Sequence, residues 1–407
     1  MHGFSPPDNV LREYRCRASG ATAIWSERGV GKPRAKLELP PHQRKRVRVE
    51  LLGKSLDELR EWMVSCGEPA YRGGQLYQAL YAQRLFDPAA MTSLPQAVRE
   101  RLKEQASLAL PKIARSYASA DGSIRYLVPL EEREGERAAT IETVFMPSEK
   151  RQTICISTQA GCAVDCHFCL TATLGLIRNL TAGEIVGQIL LALVENHQRL
   201  TPQTNVVLMG QGEPLLNYER VMAALGILLD PQGMGLSPKH VTLSTSGIVP
   251  GIDRLAGEPP KRRPKLAISL NASSDPQRDE IMPINKKYPL EKLLDACRRY
   301  PLRPWEQLTF EYVLLGGFND TTEDARRVVR LLAPLRAKVN LIPWNPGALP
   351  YAQPTAERIE GFRRIMAEKG LPVFVRYSRG QDVFAACGQL ALVESISSPG
   401  TWQQISV

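Results

Sequence analysis

Apolar residues recur at helical spacing early in the chain and then settle into an alternation of short strands and amphipathic helices. Residues 1–50 have weak periodicity and many Pro, Gly and Arg residues, which predicts a mobile extension. Helical patterning begins at Ser55-Leu56-Asp57-Glu58, a potential capping box ahead of Leu59, Trp62 and Met63. A second helix is predicted over 74–83, with Leu76, Leu80 and Tyr81 on its apolar stripe. A third follows Ser93-Leu94-Pro95-Gln96, with Pro95 in its first turn. Together they predict a small helical module over 51–110. Apolar stretches at 124–130 and 140–146 flank the charged loop 131–137 and read as a β-hairpin within a linker, 111–150.

From Thr153 the pattern predicts strands at 153–157, 205–209, 241–244, 265–270, 308–315 and 339–342. Helices are predicted near 181–199, 218–229, 290–299, 322–335 and 355–369. Such βα units build a parallel sheet, and six of them make an α/β fold of the incomplete (β/α)6 barrel type over 151–390. A last apolar stretch, 372–377, leads to Gly380 and Cys387, with a tail at 391–407. Barrels carry their chemistry at the C-terminal ends of the strands. Those ends hold Gln211-Gly212-Glu213-Pro214, Ser244-Thr245-Ser246-Gly247, Asn271-Ala272-Ser273 and Trp344-Asn345-Pro346. Turn chemistry alone would supply Gly, Ser and Asn, so the signal lies in their recurrence at equivalent ends.

Composition narrows the function classes. The 407 residues imply two or three domains, and 43% apolar with 23% charged residues excludes global disorder. The longest apolar run, around 185–194, is broken by Gly187 and Gln188 and is too short to span a bilayer. Pro6 and Pro7 stand where a signal peptide would need its apolar stretch, so a soluble, cytoplasmic protein without a membrane partner is expected. The net charge is +10, and residues 1–50 alone hold 11 basic and 5 acidic side chains. This balance points to an anionic partner such as nucleic acid or a membrane surface, or to a solvated basic tail.

Of the eight cysteines, Cys155, Cys162, Cys166 and Cys169 fall close together; Cys16, Cys66 and Cys297 are scattered. Cys162-Ala163-Val164-Asp165-Cys166-His167-Phe168-Cys169 is C-x3-C-x2-C in the loop after the first barrel strand, a soft-metal pattern. A structural zinc site wants a fourth ligand, and His167, between two ligand cysteines, would reach it only with strain. Three cysteines on a four-iron cluster leave one iron open to a small molecule. The motif is the signature of radical SAM enzymes, whose open iron chelates S-adenosylmethionine.

The resemblance then extends over most of the chain, 52–390. Gly67-Glu68-Pro69-Ala70-Tyr71-Arg72, Ile141-Glu142-Thr143-Val144, Gly210-Gln211-Gly212-Glu213-Pro214-Leu215 and Leu243-Ser244-Thr245-Ser246-Gly247 all match. So do Met282-Pro283-Ile284-Asn285, Trp344-Asn345-Pro346, Arg379-Gly380-Gln381-Asp382 and Ala385-Ala386-Cys387-Gly388-Gln389-Leu390. In these segments the chain resembles the RlmN/Cfr family of radical SAM RNA adenine methyltransferases. The resemblance implies a radical SAM barrel preceded by a small helical RNA-binding module. It implies a [4Fe-4S] cluster on Cys162, Cys166 and Cys169, and two S-adenosylmethionine molecules per turnover. Cys387 matches the cysteine that carries the methyl group and forms a covalent adduct with RNA. Cys155 matches the partner that closes a disulfide with it, and Glu142 matches an assigned proton acceptor. Between Cys155 and Glu142 the residue that takes the ring proton stays open.

Gly212, Glu213, Ser244, Ser269, Leu270, Asn271 and Asn345 match cofactor contacts, although Asn271 stands where many relatives have histidine and cannot titrate near neutrality. The implied substrate is adenosine carbon 2 in 23S rRNA and in some tRNAs, bound partly by basic segments such as Lys261-Arg262-Arg263-Pro264-Lys265. The implied electron donor is of the flavodoxin-type reductase kind. Two alternatives remain at this point: the carbon 8 branch of the same family, and an RNA-binding assembly factor with a structural metal.

Overall fold

The computed structural model describes residues 48–132, 135–347, 349–391, 393–398 and 401–404. The basic extension therefore lies outside the described residues, apart from 48–50.

Strand β1 (Val49–Glu50) pairs in parallel with β2 (Ala106–Ser107), and helices α1 (Leu56–Ser65), α2 (Tyr71–Tyr77) and α3 (Gln96–Gln105) lie between them. The capping box is present in α1: the Ser55 side chain accepts from the Glu58 N–H while Glu58 accepts from the Ser55 N–H. The second helix starts earlier than its apolar stripe predicts and continues as a wider π-type turn over Gln78–Ala82. Pro95 sits at the N-cap of α3 rather than inside its first turn.

Next come β3 (Arg115–Ala118), β4 (Ile124–Leu130), β5 (Ala139–Pro147) and β6 (Arg151–Cys155), joined antiparallel in sequence order. The predicted hairpin is thus built into the main sheet, with β3 as a further strand outside it. After β6 a small antiparallel pair, β7 (Gln159–Gly161) and β8 (Leu176–Asn179), brackets the cysteine loop. The rest is α4 (Ala182–Glu195), β9 (Gln203–Leu208), α5 (Tyr218–Leu229), β10 (Val241–Thr245), α6 (Val249–Ala256), β11 (Lys265–Ser269), α7 (Asp275–Ile281) and α8 (Leu290–Arg299). β12 (Leu308–Leu314), α9 (Thr322–Leu332), β13 (Ala337–Pro343), α10 (Ala356–Glu368) and β14 (Val373–Val375) follow. The backbone of 393–404 forms a separate antiparallel hairpin.

The sheet runs β14-β13-β12-β11-β10-β9-β6-β5-β4-β3 and is open at both edges. β6 and β9 to β14 are mutually parallel, so the final apolar stretch adds a seventh parallel strand to the six predicted. Helices α6 and α7 lack sequence signals strong enough to predict: one turns on Pro250, and the other is a mostly polar seven-residue segment. The first barrel helix ends at Glu195, short of 199. There Asn196 caps it, donating to the Ala192 carbonyl and the Tyr126 hydroxyl.

Strand alternation sorts the two faces of the barrel wall. On β12, Phe310, Tyr312 and Leu314 pack outward, with the Tyr312 ring against Phe362 of α10. Their neighbours Glu311 and Val313 face inward to the cavity. Arg278, on α7, has no exposed surface and stitches strand ends together. Its Nε donates to the Leu270 carbonyl, its Nη2 to the carbonyls of Ser246 (2.6 Å) and Ser269 (3.0 Å), and its Nη1 to Asn285 Oδ1. Substituting Arg278→Leu would leave those acceptors buried without donors. The expected cost is about 3 kcal/mol of unfolding free energy. Urea unfolding should show a clearly lowered midpoint, and an unchanged midpoint would refute this role.

Candidate active site

The C-terminal ends of the parallel strands surround one cavity of about 990 Å3, counting its mouth. Cys162, Cys166 and Cys169, all free thiols, form part of its wall. His167 does not line it; with Asp165 it lines a second depression, which Cys166 and Cys169 also border. Among the described residues no three His, Cys, Asp or Glu side chains converge on the position of a single metal ion. Three loop thiols spread round a cavity instead of converging on one point suit a polynuclear iron–sulfur cluster, in which each sulfur meets a different iron. A closed tetrahedral zinc site needs ligands that converge on one ion, and among the described residues none do. Burial pushes the Cys162 thiol up to about 12 and raises Cys166 and Cys169 as well, so ionisation here needs the positive charge of bound metal.

Gly212 and Glu213 follow β9. Gly212 has φ +99°, and a Cβ on it would come within 2.5 Å of Gln159 Cβ, so only glycine fits. Glu213 is buried: Oε2 accepts from the Ser246 N–H (2.6 Å) and Oγ (2.8 Å), and Oε1 from the Leu215 N–H (3.0 Å). Burial raises its carboxyl against the pull of these donors. Ser244, Ser269 and Asn271 also line the cavity.

Leu270 does not. Alternation turns it outward into the main core at 0% exposure, its N–H donates to Glu311 O and its carbonyl accepts from Arg278, so it has no group left for a ligand. Asn271 lies in the left-handed region (φ 55°), its Oδ1 accepting from the Val313 N–H at 2.9 Å and its Nδ2 directed to Met282 Sδ. An asparagine tolerates that backbone and ties β11 to β12, a task separate from any titration.

Cys387 is accessible from the cavity, where burial, and then Glu311, push its thiol up to about 11. Cys155, at the end of β6, packs with Val144, Ala385 and Leu390. Burial raises its thiol further still, with Cys387 the next contributor. The chain around Cys387 is pinned from several sides. Asn345 Nδ2 donates to the Cys387 carbonyl (3.0 Å) and Ser378 Oγ (2.9 Å), and its Oδ1 accepts from Gln381. The Leu170 N–H donates to Gly388 O, and Thr171 Oγ1 to Leu390 O. On the β3–β4 turn, Asp121 accepts from the Gly380 N–H (3.0 Å) and pairs with Arg379, while Ser119 and Ala120 donate to Asp382.

Glu142 is wholly buried and does not line the cavity. It meets Arg125 at 2.6 Å, both side chains having 0% exposure, and accepts from Gln211 Nε2 at 3.0 Å. The basic segment 261–265 leads into β11, of which Lys265 is the first residue, at the end away from the cavity, and Arg263 is buried over the Tyr300 ring. Glu311, Arg278 and Asp121 escaped the sequence reading. Glu311 alone left a trace, as a charge at an inward position of an apolar strand.

Residues 156–332 match the radical SAM superfamily model, and residues 49–108 match the ribosomal RNA large subunit methyltransferase N-terminal domain. The chain is 48% identical over 356 residues to the probable dual-specificity RNA methyltransferase RlmN of Koribacter versatilis, covering 82% of this chain and 99% of that one. The chain belongs to the RlmN family of radical SAM RNA methyltransferases. Its likeness to the RlmN of Anaeromyxobacter sp. is 46% over 86% of this chain and 93% of the other. A crystal structure of a radical SAM methyltransferase from Sphaerobacter thermophilus superposes with TM-score 0.78 at 43% identity, covering 84% of this chain and 99% of that one. As a radical SAM member, this RlmN-family chain uses a [4Fe-4S] cluster and S-adenosylmethionine.

The clasp on the Cys387 segment carries a pH signature. Burial alone would raise the Asp121 carboxyl, but hydrogen bonds from Ser123 and Gly380 and the charge of Arg379 hold it well below the usual carboxylate range. Its stabilisation is therefore complete above about pH 4 and is lost as pH falls through the lowered folded value. Asp121→Asn should speed amide hydrogen exchange over 380–387 at pH 7. The difference from the parent should shrink in acid, and equal protection at pH 7 would refute the clasp.

Proposed function

We propose that this chain methylates carbon 2 of an adenosine in 23S rRNA and of adenosine in a subset of tRNAs, with Cys387 as the methyl carrier. The observation that carries this reading is the meeting of Cys387 with the three loop thiols in one cavity, with Cys155 packed against the same segment. Adenine carbon 2 has no lone pair with which to attack a methyl cation, so polar transfer is closed and a carbon radical is needed. Cys162, Cys166 and Cys169 would hold the cluster, which with S-adenosylmethionine supplies the one-electron chemistry that makes such a radical. Gly212, Glu213, Ser244, Ser269 and Asn345 border the same space and would orient the cofactor.

Cys387 Sγ would present the methyl carbon to the base, and Cys155 Sγ would release the product by forming a disulfide with Cys387 as the S–C bond breaks. The enclosure of Glu142 by Arg125 and Gln211 favours a positioning role for it, leaving Cys155 to take the ring proton. The +10 charge supports an RNA substrate whose binding weakens with salt. The target adenine must be unstacked to reach a cavity among strand ends. We further assign it a cytoplasmic location and a flavodoxin-type electron donor; among the described residues no helix is long and apolar enough to cross a membrane.

The test is mass spectrometry of nucleosides from 23S rRNA and tRNA after anaerobic incubation with reconstituted enzyme, reductant and S-adenosylmethionine. The expected product is 2-methyladenosine. Appearance of 8-methyladenosine would transfer the chain to the carbon 8 branch, and absence of both would refute the substrate. Cys387→Ala should reduce product to background. Cys155→Ala should accumulate a protein–RNA adduct, visible as a band lost on ribonuclease treatment.

A further inference from the structure

The cavity wall holds two carboxylates and, among the described residues, no lysine, arginine or histidine. Glu213 has both oxygens occupied by Ser246 and Leu215. Glu311 differs. It faces the cavity from β12 with 8% of its surface exposed, and Asn340 Nδ2 donates to Oε1 at 2.9 Å. Its second oxygen has no hydrogen-bond partner among the described residues, yet it is not one of the sealed orphan atoms of the interior. It therefore opens onto the cavity. Burial raises this carboxyl against the Asn340 hydrogen bond and the charges of Arg376, which donates to Asn340 Oδ1 at 3.2 Å, and Lys338; neither cation lines the cavity. A buried carboxylate with one oxygen fixed and the other directed at empty space is built to meet a cation or a donor.

S-Adenosylmethionine brings two cationic groups, an ammonium and a sulfonium. For Cys387 to receive a methyl group, the sulfonium carbon must come within about 3–3.5 Å of its Sγ. Glu311 and Cys387 line the same cavity, so a sulfonium delivered to that thiol enters the space Glu311 faces.

We propose that Glu311 faces the sulfonium of S-adenosylmethionine and makes this cavity prefer the cationic cofactor over its neutral product, S-adenosylhomocysteine. The inference rests on the reading of Cys387 as methyl acceptor. In that step the Cys387 S–C bond forms, the sulfonium S–C bond breaks with its electron pair staying on sulfur, and the thiol proton leaves to water. The spent cofactor becomes a neutral thioether and loses its attraction to Glu311. Two cofactor molecules must occupy one cavity in succession, and this loss of attraction favours replacing the spent molecule by a fresh one.

The experiment is equilibrium binding to the anaerobically reconstituted protein, with two probes that transfer no methyl group. S-Adenosylhomocysteine is neutral at sulfur, and sinefungin carries an amine cation at the sulfonium position. The unaltered chain should prefer sinefungin. Glu311→Gln, which keeps the Asn340 hydrogen bond, should lose about tenfold of that preference while its Kd for S-adenosylhomocysteine holds. Glu311→Asp should retain part of it. Equal weakening toward both probes would mark a contact to the shared nucleoside and overturn the proposal, as would an unchanged preference. An unaltered chain that binds neither probe would instead overturn the cofactor reading beneath it.

Discussion

One buried guanidinium carries the geometry of the cavity. Arg278 takes the carbonyls of Ser246, Ser269 and Leu270 together with Asn285 Oδ1, and so holds the ends of β10 and β11 at a fixed separation. Burial lowers it to about 10, still charged at neutral pH, and its acceptors offset much of the cost of removing that charge from water. The constraint passes outward through hydrogen bonds. Ser246, held by its carbonyl, uses its N–H and hydroxyl to aim Glu213, and Ser269 presents its side chain one residue before the outward Leu270. A neighbouring asparagine extends the same arrangement: Asn319 donates to the Asn271 and Val313 carbonyls and accepts from the Leu315 N–H.

Around that rigid mouth the Cys387 segment is held by hydrogen bonds more than by apolar packing. Asn345 grips its carbonyl, the cysteine loop grips Gly388 and Leu390, and the β3–β4 turn grips Gly380 and Asp382. The antiparallel strands β3 to β5 therefore do two jobs. They extend the sheet past β6, and they carry the turn on which the Cys387 segment rests.

Local signals are legible in the sequence and tertiary ones are not. The Ser55 capping box, the strand ends and the cysteine spacing are written in a few adjacent residues, and each has its counterpart in the fold. Leu270 shows the limit of a motif read as a block: its neighbours face the cavity, and strand alternation sends it the other way. Glu142 looks like a residue that could face water on a hairpin until Arg125, 17 residues earlier on the neighbouring strand, encloses it. Glu311 belongs to no motif, and its meaning depends on Asn340 and on a cavity assembled from several strands. Short helices such as α7 form because the strand ends need Arg278, a reason invisible in their own composition.

The span of the contacts at Cys387 bears on the order in which the chain organises itself. Thr171 reaches Leu390 across 219 residues and Ser119 reaches Asp382 across 263, among the costliest loops to close in the molecule. The helical module and the successive βα units rest on nearer partners and can form first. During that interval the loop thiols and Cys155 lack the cover of residues 385–390, and an uncovered thiol is the form that oxidants attack. A nascent chain of this design thus passes through a redox-vulnerable stage, which early insertion of the cluster would shorten.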